Sequence, residues 1–299
     1  HLDEEDLILD PFHVERIYKI DKTYGLQNKA FKEILETFIN DHLNTNTTPG
    51  TYMVVDSMYL DSLNQSYQIY DRYDKDNLIK YLIYNKIPYH FESNGVIHTT
   101  NLNLCNVPNI HLRPLKLKTL RLNGHMIDQE IKNVTVEKLF IEQADTIQRK
   151  NFPENLTISG TLFFENSPKQ FDMPFGIKAP VVSASNTKLI SVSPNLQTQE
   201  LLLSSTGIST LPPLKLNKLD ISDCTRLKGL PDNIVVTEYL DASNSSLCSL
   251  PAIQTRFINL KNTKNLTHLH PQIKFEHLKA THSTLSVLPK NLTGATVQA

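Results

Sequence analysis

Three groups of residues in this chain have the side-chain types of a chemical site. Asp56 and Asp61 stand on either side of Tyr59, a set suited to general acid and base work. Cys224 is a candidate reactive thiol, and His268, His270, His277 and His282 gather near the C-terminus, where imidazoles could hold a metal. Each group also has a plainer account. Acidic residues at strand ends are most often solvated turn residues. His268 and His270 fall on a connecting segment while His277 and His282 flank a strand, so the four do not converge on one ion. No Gly-rich phosphate loop and no nucleophile motif accompanies any of them. The sequence therefore predicts no catalytic residue, no metal and no cofactor.

The elements that carry these residues follow from a periodicity. In TEYLDASNSSLCSLP, residues 237–251, the apolar or small residues Leu240, Ala242, Ser245, Leu247 and Leu250 precede Pro251. That spacing suits neither a helix of period 3.6 nor a long strand of period 2. LNKLDISDCTRLKGLP upstream repeats the order with Leu219, Ile221, Cys224, Leu227, Leu230 and Pro231. The pair apolar-x-apolar recurs as Leu102/Leu104, Leu120/Leu122, Leu139/Ile141, Leu162/Phe164, Val182/Ala184, Leu201/Leu203, Leu219/Ile221, Leu240/Ala242, Ile258/Leu260 and Leu278/Ala280, in steps of 18 to 23 residues. Such a period falls at the short end of the leucine-rich-repeat range.

Each repeat then supplies one short strand whose alternate side chains face inward, and stacking the strands in parallel buries what no single repeat could bury. Three residues past the second anchor stand Val107, His125, Ala144, Ser167, Thr187, Thr206, Cys224, Ser245, Thr263 and Ser283. Mostly small, these are expected to turn inward and bond the backbone of the next coil, which makes Cys224 an inert buried thiol. Leu211-Pro212, Leu230-Pro231, Leu250-Pro251 and Leu288-Pro289 close several coils, with Phe152-Pro153, Met173-Pro174 and His270-Pro271 beside them. Proline fixes an extended φ and donates no hydrogen bond, so the convex side is expected to be mostly extended. The predicted fold class is α/β: a leucine-rich-repeat solenoid of about ten repeats over residues 96–299, after a small α+β or helical domain at 1–95.

On the concave face of such a solenoid stand the residue between the anchors and the one after the second. The between-anchor series is Arg121, Phe140, Phe163, Ser183, Leu202, Asp220, Asp241, Asn259 and Lys279, and the following series is Asn123, Glu142, Glu165, Ser185, Ser204, Ser222, Ser243, Lys261 and Thr281. Most are small or polar. Phe140 and Phe163, on adjacent strands about 4.8 Å apart and edged by Glu142 and Glu165, are expected to anchor a protein partner. Leu202 extends this surface, and Asp220 with Asp241 would suit a basic partner. The other possibility for the pair is that irregular repeat steps turn one phenylalanine inward.

FPENLTISGTLFFENS, LPDNIVVTEYLDASNSSLCSLP and LPKNLTGATVQA resemble the Leu-Pro-x repeats of bacterial type III secreted effectors, the group with the Shigella and Salmonella ubiquitin ligases and the Yersinia leucine-rich-repeat scaffold. The resemblance covers about residues 96–299. It implies a virulence effector delivered into the host cytoplasm, where the repeats bind a host protein. In the ligase members a separate C-terminal helical domain carries a catalytic cysteine in a Cys-x-Asp context. The cysteines here read Cys105-Asn-Val, Cys224-Thr-Arg and Cys248-Ser-Leu, so that motif is absent from this chain. The alternative reading is the substrate-recognition part of a longer ubiquitin ligase. Asn291 begins another coil with no capping segment, so a further domain is expected after Ala299; the start at His1 likewise predicts a longer product with a secretion signal.

In residues 1–95, Ala30, Phe31, Ile34, Leu35, Phe38, Ile39 and Leu43 predict a helix, 51–60 and 66–70 predict strands, and Leu78, Ile79, Leu82 and Ile83 predict a helix ending before Pro88. The expected duty of this unit is to cover the first coil. Thirty basic against 31 acidic residues argue against a nucleic-acid footprint, and no run of 18 apolar residues spans a membrane. Three cysteines without flanking pairs point to a reducing compartment, and triplets such as Asn133-Val-Thr, Asn155-Leu-Thr and Asn265-Leu-Thr follow from the abundance of Asn and Thr.

Overall fold

The computed structural model describes residues 85–289 apart from 93–94, 106, 108–109, 111 and 113, together with Leu78, Tyr81 and Leu82 before them and Thr296–Gln298 after. The described residues divide between two compact units, one within 1–100 and 108–116 and the other within 101–107 and 117–299. The helix expected around 27–43, the strands expected at 51–60 and 66–70, and Asp56, Tyr59 and Asp61 lie outside the described residues.

In the first unit Leu78, Tyr81 and Leu82 are helical, and both leucines are fully buried, as their one-turn spacing dictates. The Asn85 and Ile87 amides donate to the Tyr81 and Leu82 carbonyls, and Lys86 takes a left-handed φ of 53° where the chain leaves the helix ahead of Pro88. Strand β1 (Tyr89–Phe91) then pairs antiparallel with β2 (Ile97–Thr99), and Ile97 and His98 pair in parallel with Leu115 and Lys116.

The second unit is a parallel β-solenoid. Its main sheet comprises β3 (Asn101–Asn103), β4 (Leu115–Asn123) from Leu117 onward, β5 (Val134–Glu142) and β6 (Leu156–Glu165). After the short β7 (Phe171–Asp172) it continues through β8 (Val181–Ser183) and, past β9 (Leu189–Ser191), through β10 (Glu200–Leu202) and β11 (Lys215–Asp220). β12 (Val235–Asp241), β13 (Phe257–Asn259), β14 (His277–Lys279) and β15 (Thr296–Gln298) complete it. Neighbours in the order β3-β4-β5-β6-β8-β10-β11-β12-β13-β14-β15 are hydrogen-bonded, while β7 and β9 make a second, parallel pair on the return segments.

The register puts first anchor against first anchor: Leu102 faces Leu120, and Leu139, Leu162, Val182, Leu201, Leu219, Leu240, Ile258 and Leu278 form a continuous row. Every first and second anchor from Leu102 to Ala280 is buried. Alternation decides this: a slip of one residue would expose the whole set. Among the described residues the return segments of this unit carry no α-helix; they are mostly extended, with isolated parallel bridges such as Lys178 to Gln197 and Gln254 to Lys274.

The corners of the coils obey a rule the sequence reading lacked. Two residues past the second anchor, Gln143, Asn166, Asn186, Ser205, Asp223, Asn244, Asn262 and His282 all take a left-handed φ between 47° and 59°. Asn and Asp, the side chains that tolerate this conformation best, hold five of the eight places. The turn points the backbone amide at the next coil, so that Asn186 donates to Ser204, Ser205 to Ser222, Asp223 to Ser243, Asn244 to Lys261 and Asn262 to Thr281, extending the ladder beyond the strands. The coil after β4 departs from the rule and makes a 3-10 turn, Gly124–Asp128. A Cβ on Gly124 would stand 2.4 Å from the Gln143 carbonyl oxygen, so no larger residue fits there. This turn exposes His125 and buries Met126, which corrects the inward place expected for His125.

The small inward residues also bond differently from expectation. Thr187, Thr206 and Thr263 donate to the carbonyl of their own second anchor, at 2.5 to 2.8 Å, rather than to the next coil. Three of these side chains do link coils: Ser167 Oγ accepts the Ala144 amide at 2.9 Å, Cys224 Sγ donates to the Leu203 carbonyl at 3.1 Å, and Thr206 Oγ1 meets Cys224 Sγ at 3.4 Å. Val107 and Ser283 are only half-buried.

Candidate functional site: the outer face of the parallel sheet

Side chains between the anchors point away from the core, so the sheet's outer face is a set of columns, each running from strand to strand. Phe140 and Phe163 are neighbours in the middle column and both are half-buried, so neither turns inward. Their rings stack with centroids 4.5 Å apart and planes at 7°. Register allows this because in-register strands lie about 4.8 Å apart, close to the thickness of stacked rings.

Arg121 continues the stack. Its guanidinium lies 4.3 Å from the Phe140 centroid, and its Nη1 donates to Glu142 Oε1 at 2.8 Å and to Glu165 Oε2 at 2.7 Å. One cation is thus shared between carboxylates of two successive strands. Burial pulls the guanidinium pKa down, but the hydrogen bonds it donates to Glu165 and Glu142, with their charges, outweigh it, and the balance is a raised value. Beside the clamp the Cys105 thiol is pushed up to about 11, first by burial and then by the Glu142 charge, so it is protonated and unreactive at neutral pH.

The other candidates lie further along. Leu202 is half-buried in the same column two strands from Phe163, and Asp220 and Asp241 follow on β11 and β12. The acidic pair is not brought to the phenylalanines. One oxygen of each is tied locally: Asp220 Oδ1 accepts the Ser222 amide and hydroxyl at 2.9 and 2.6 Å, and Asp241 Oδ1 accepts the same pair from Ser243.

Two features escaped the sequence reading. Arg121 stands in the outward series, where one arginine beside two glutamates of the next column is the signal that marks the clamp. The other is the column one residue before the first anchor. There Tyr239 and Phe257 stack at 5.2 Å, and Phe257 meets His277, which lies in β14 rather than flanking it, at 6.0 Å. Tyr239 donates its hydroxyl to Asp241 Oδ2 at 3.0 Å; burial first, and then the Asp241 charge, push its pKa up to about 12.

Cys224 is buried, and burial raises its thiol pKa. Among the described residues no three His, Cys, Asp or Glu side chains come together in a way that could hold a metal, and no helix is long and apolar enough to cross a membrane. Neither a family model, nor a curated protein, nor a solved structure matches this chain.

Proposed function

We propose that this chain is a protein-binding module, of the Leu-Pro leucine-rich-repeat kind found in secreted bacterial effectors, that grips a host protein with the outer, concave face of its parallel sheet. The observation that carries the reading is the Phe140/Phe163 stack, two large rings held half-exposed on a rigid sheet and bounded by ionised groups. Exposed aromatics rimmed by charge make the usual anchor of a protein interface, because burying the rings gives affinity while the rim excludes water. The resemblance of the Leu-Pro repeats supports delivery into the host cytoplasm as its place of work.

The test is capture from an animal-cell lysate by three immobilised forms: the wild-type chain, Phe140→Glu/Phe163→Glu, and a return-segment control, Lys178→Glu/Gln197→Glu. The expected result is a host protein held by the wild type and the control and reduced at least about tenfold on the phenylalanine double variant, with unchanged circular dichroism. Equal capture by all three forms would overturn the assignment of the face.

A further inference from the structure

We propose that the partner places an arginine side chain on the open face of Phe163, against Glu165. The inference rests on the reading of this sheet as the binding face, and it names the chemistry that face selects.

The site contains its own template. Arg121 lies over the Phe140 ring and bonds Glu142, the carboxylate two residues further along the same strand as Phe140. Phe163 and Glu165 repeat that spacing one strand on, but among the described residues no second arginine lies over that ring. One side of the Phe163 ring is covered by Phe140. On its other side the residue in register is Ser183, with Leu202 on the strand beyond. A slot about one strand spacing wide therefore has an aromatic floor, a carboxylate wall and an apolar far edge.

Charge favours a cation in the slot. The clamp sets one guanidinium against two carboxylates and is left with one net negative charge. Glu165 bonds Arg121 through Oε2 alone; no described residue bonds its Oε1, and its side chain is 35% exposed. A planar guanidinium meets both demands at once, stacking on the ring while donating to the carboxylate, with its methylene stem over Leu202. Lysine supplies the charge as a compact, strongly hydrated ammonium without a stacking plane, and an aromatic side chain leaves Glu165 uncompensated.

The test is a titration of the whole chain, labelled with 13C-phenylalanine, followed by aromatic NMR, with the Phe163 signal assigned through Phe163→Tyr. The probes are three capped peptides, acetyl-Gly-X-Gly-amide, with X as arginine, lysine or the neutral isostere citrulline. The expected result is a saturable shift of the Phe163 signal by the arginine peptide, with about tenfold weaker binding of the citrulline peptide and intermediate binding of the lysine peptide. Glu165→Gln is expected to bring arginine to the citrulline level, and Ser183→Phe to block the shift by filling the slot. No saturable shift, or equal binding of arginine and citrulline, would overturn the inference. The peptides need no natural partner, so the two readings fail separately. Peptide binding with capture indifferent to the phenylalanines would overturn the functional reading; capture dependent on them without peptide binding would overturn only the arginine.

Discussion

Phe164→Ala is expected to lower the midpoint of thermal unfolding by about 10 °C, while Phe163→Ala, one residue earlier, lowers it by a few degrees at most. Phe164 is the second anchor of β6, 1% exposed, with its ring 5.7 Å from Phe171 of the return segment. Truncation removes the transfer energy of the ring and leaves a cavity the neighbouring coils fill only partly, a loss of about 3–5 kcal/mol. For a unit of this size each kcal/mol moves the midpoint by about 2–4 °C. β6 has coils on both sides, and each coil is stabilised mainly by its neighbours, so the damage spreads rather than fraying an end. Phe163 points outward and loses only part of a stacked pair, about 1 kcal/mol. Thermal unfolding followed by circular dichroism decides it; equal losses for the two variants would mean that the alternation of β6 is misassigned.

Removing the shared cation is the second large effect. Arg121→Ala leaves Glu142 and Glu165 facing one another on adjacent strands, at an expected cost of about 2 kcal/mol at neutral pH. The side chain is 27% exposed, so the full cost of orphaning a buried charge does not apply. The pH dependence has a definite sign. The Arg121 pKa is raised on folding, so its own contribution is present at all pH values below the ordinary arginine value and fades only in strong alkali. Denaturant melts at pH 7 and at about pH 9, both below the ordinary arginine value, should therefore give the same large difference between wild type and variant. Arg121→Lys is expected to restore only part of the loss, because an ammonium neither stacks on Phe140 nor forks between two strands.

The anchors of the repeat were legible because alternation leaves no choice: once Leu102 to Ala280 are aligned on their steps, burial and register follow from a period of two within each strand. The extended return segments were legible from the Leu-Pro pairs, since proline ends pairing and fixes φ. The corners are advertised only weakly, by Asn166, Asn186, Asp223, Asn244 and Asn262, because Gln, Ser and His hold the other left-handed places and blur the signal. His125 was misplaced because Gly124 permits a tight turn that shifts the buried residue to Met126. The Phe140/Phe163 neighbourhood followed from strand adjacency alone. What Arg121 does with Glu142 and Glu165 depends on a long side chain reaching across two strands, which column membership suggests but rotamers decide. The Tyr239/Phe257/His277 column lies one residue before the first anchors, outside the apolar-x-apolar pattern that marks each strand in the sequence.

The claim at the centre of this account is that the outer face of the parallel sheet, and not the return side, meets the partner. Site-specific photo-crosslinking tests it most directly, with p-benzoylphenylalanine placed at Leu202 on the outer face or at Gln197 on the preceding return segment, each irradiated in host-cell lysate. A crosslinked host protein from position 202 and none from 197 is the predicted result. A crosslink from 197 alone, or equal yields from both positions, would contradict it.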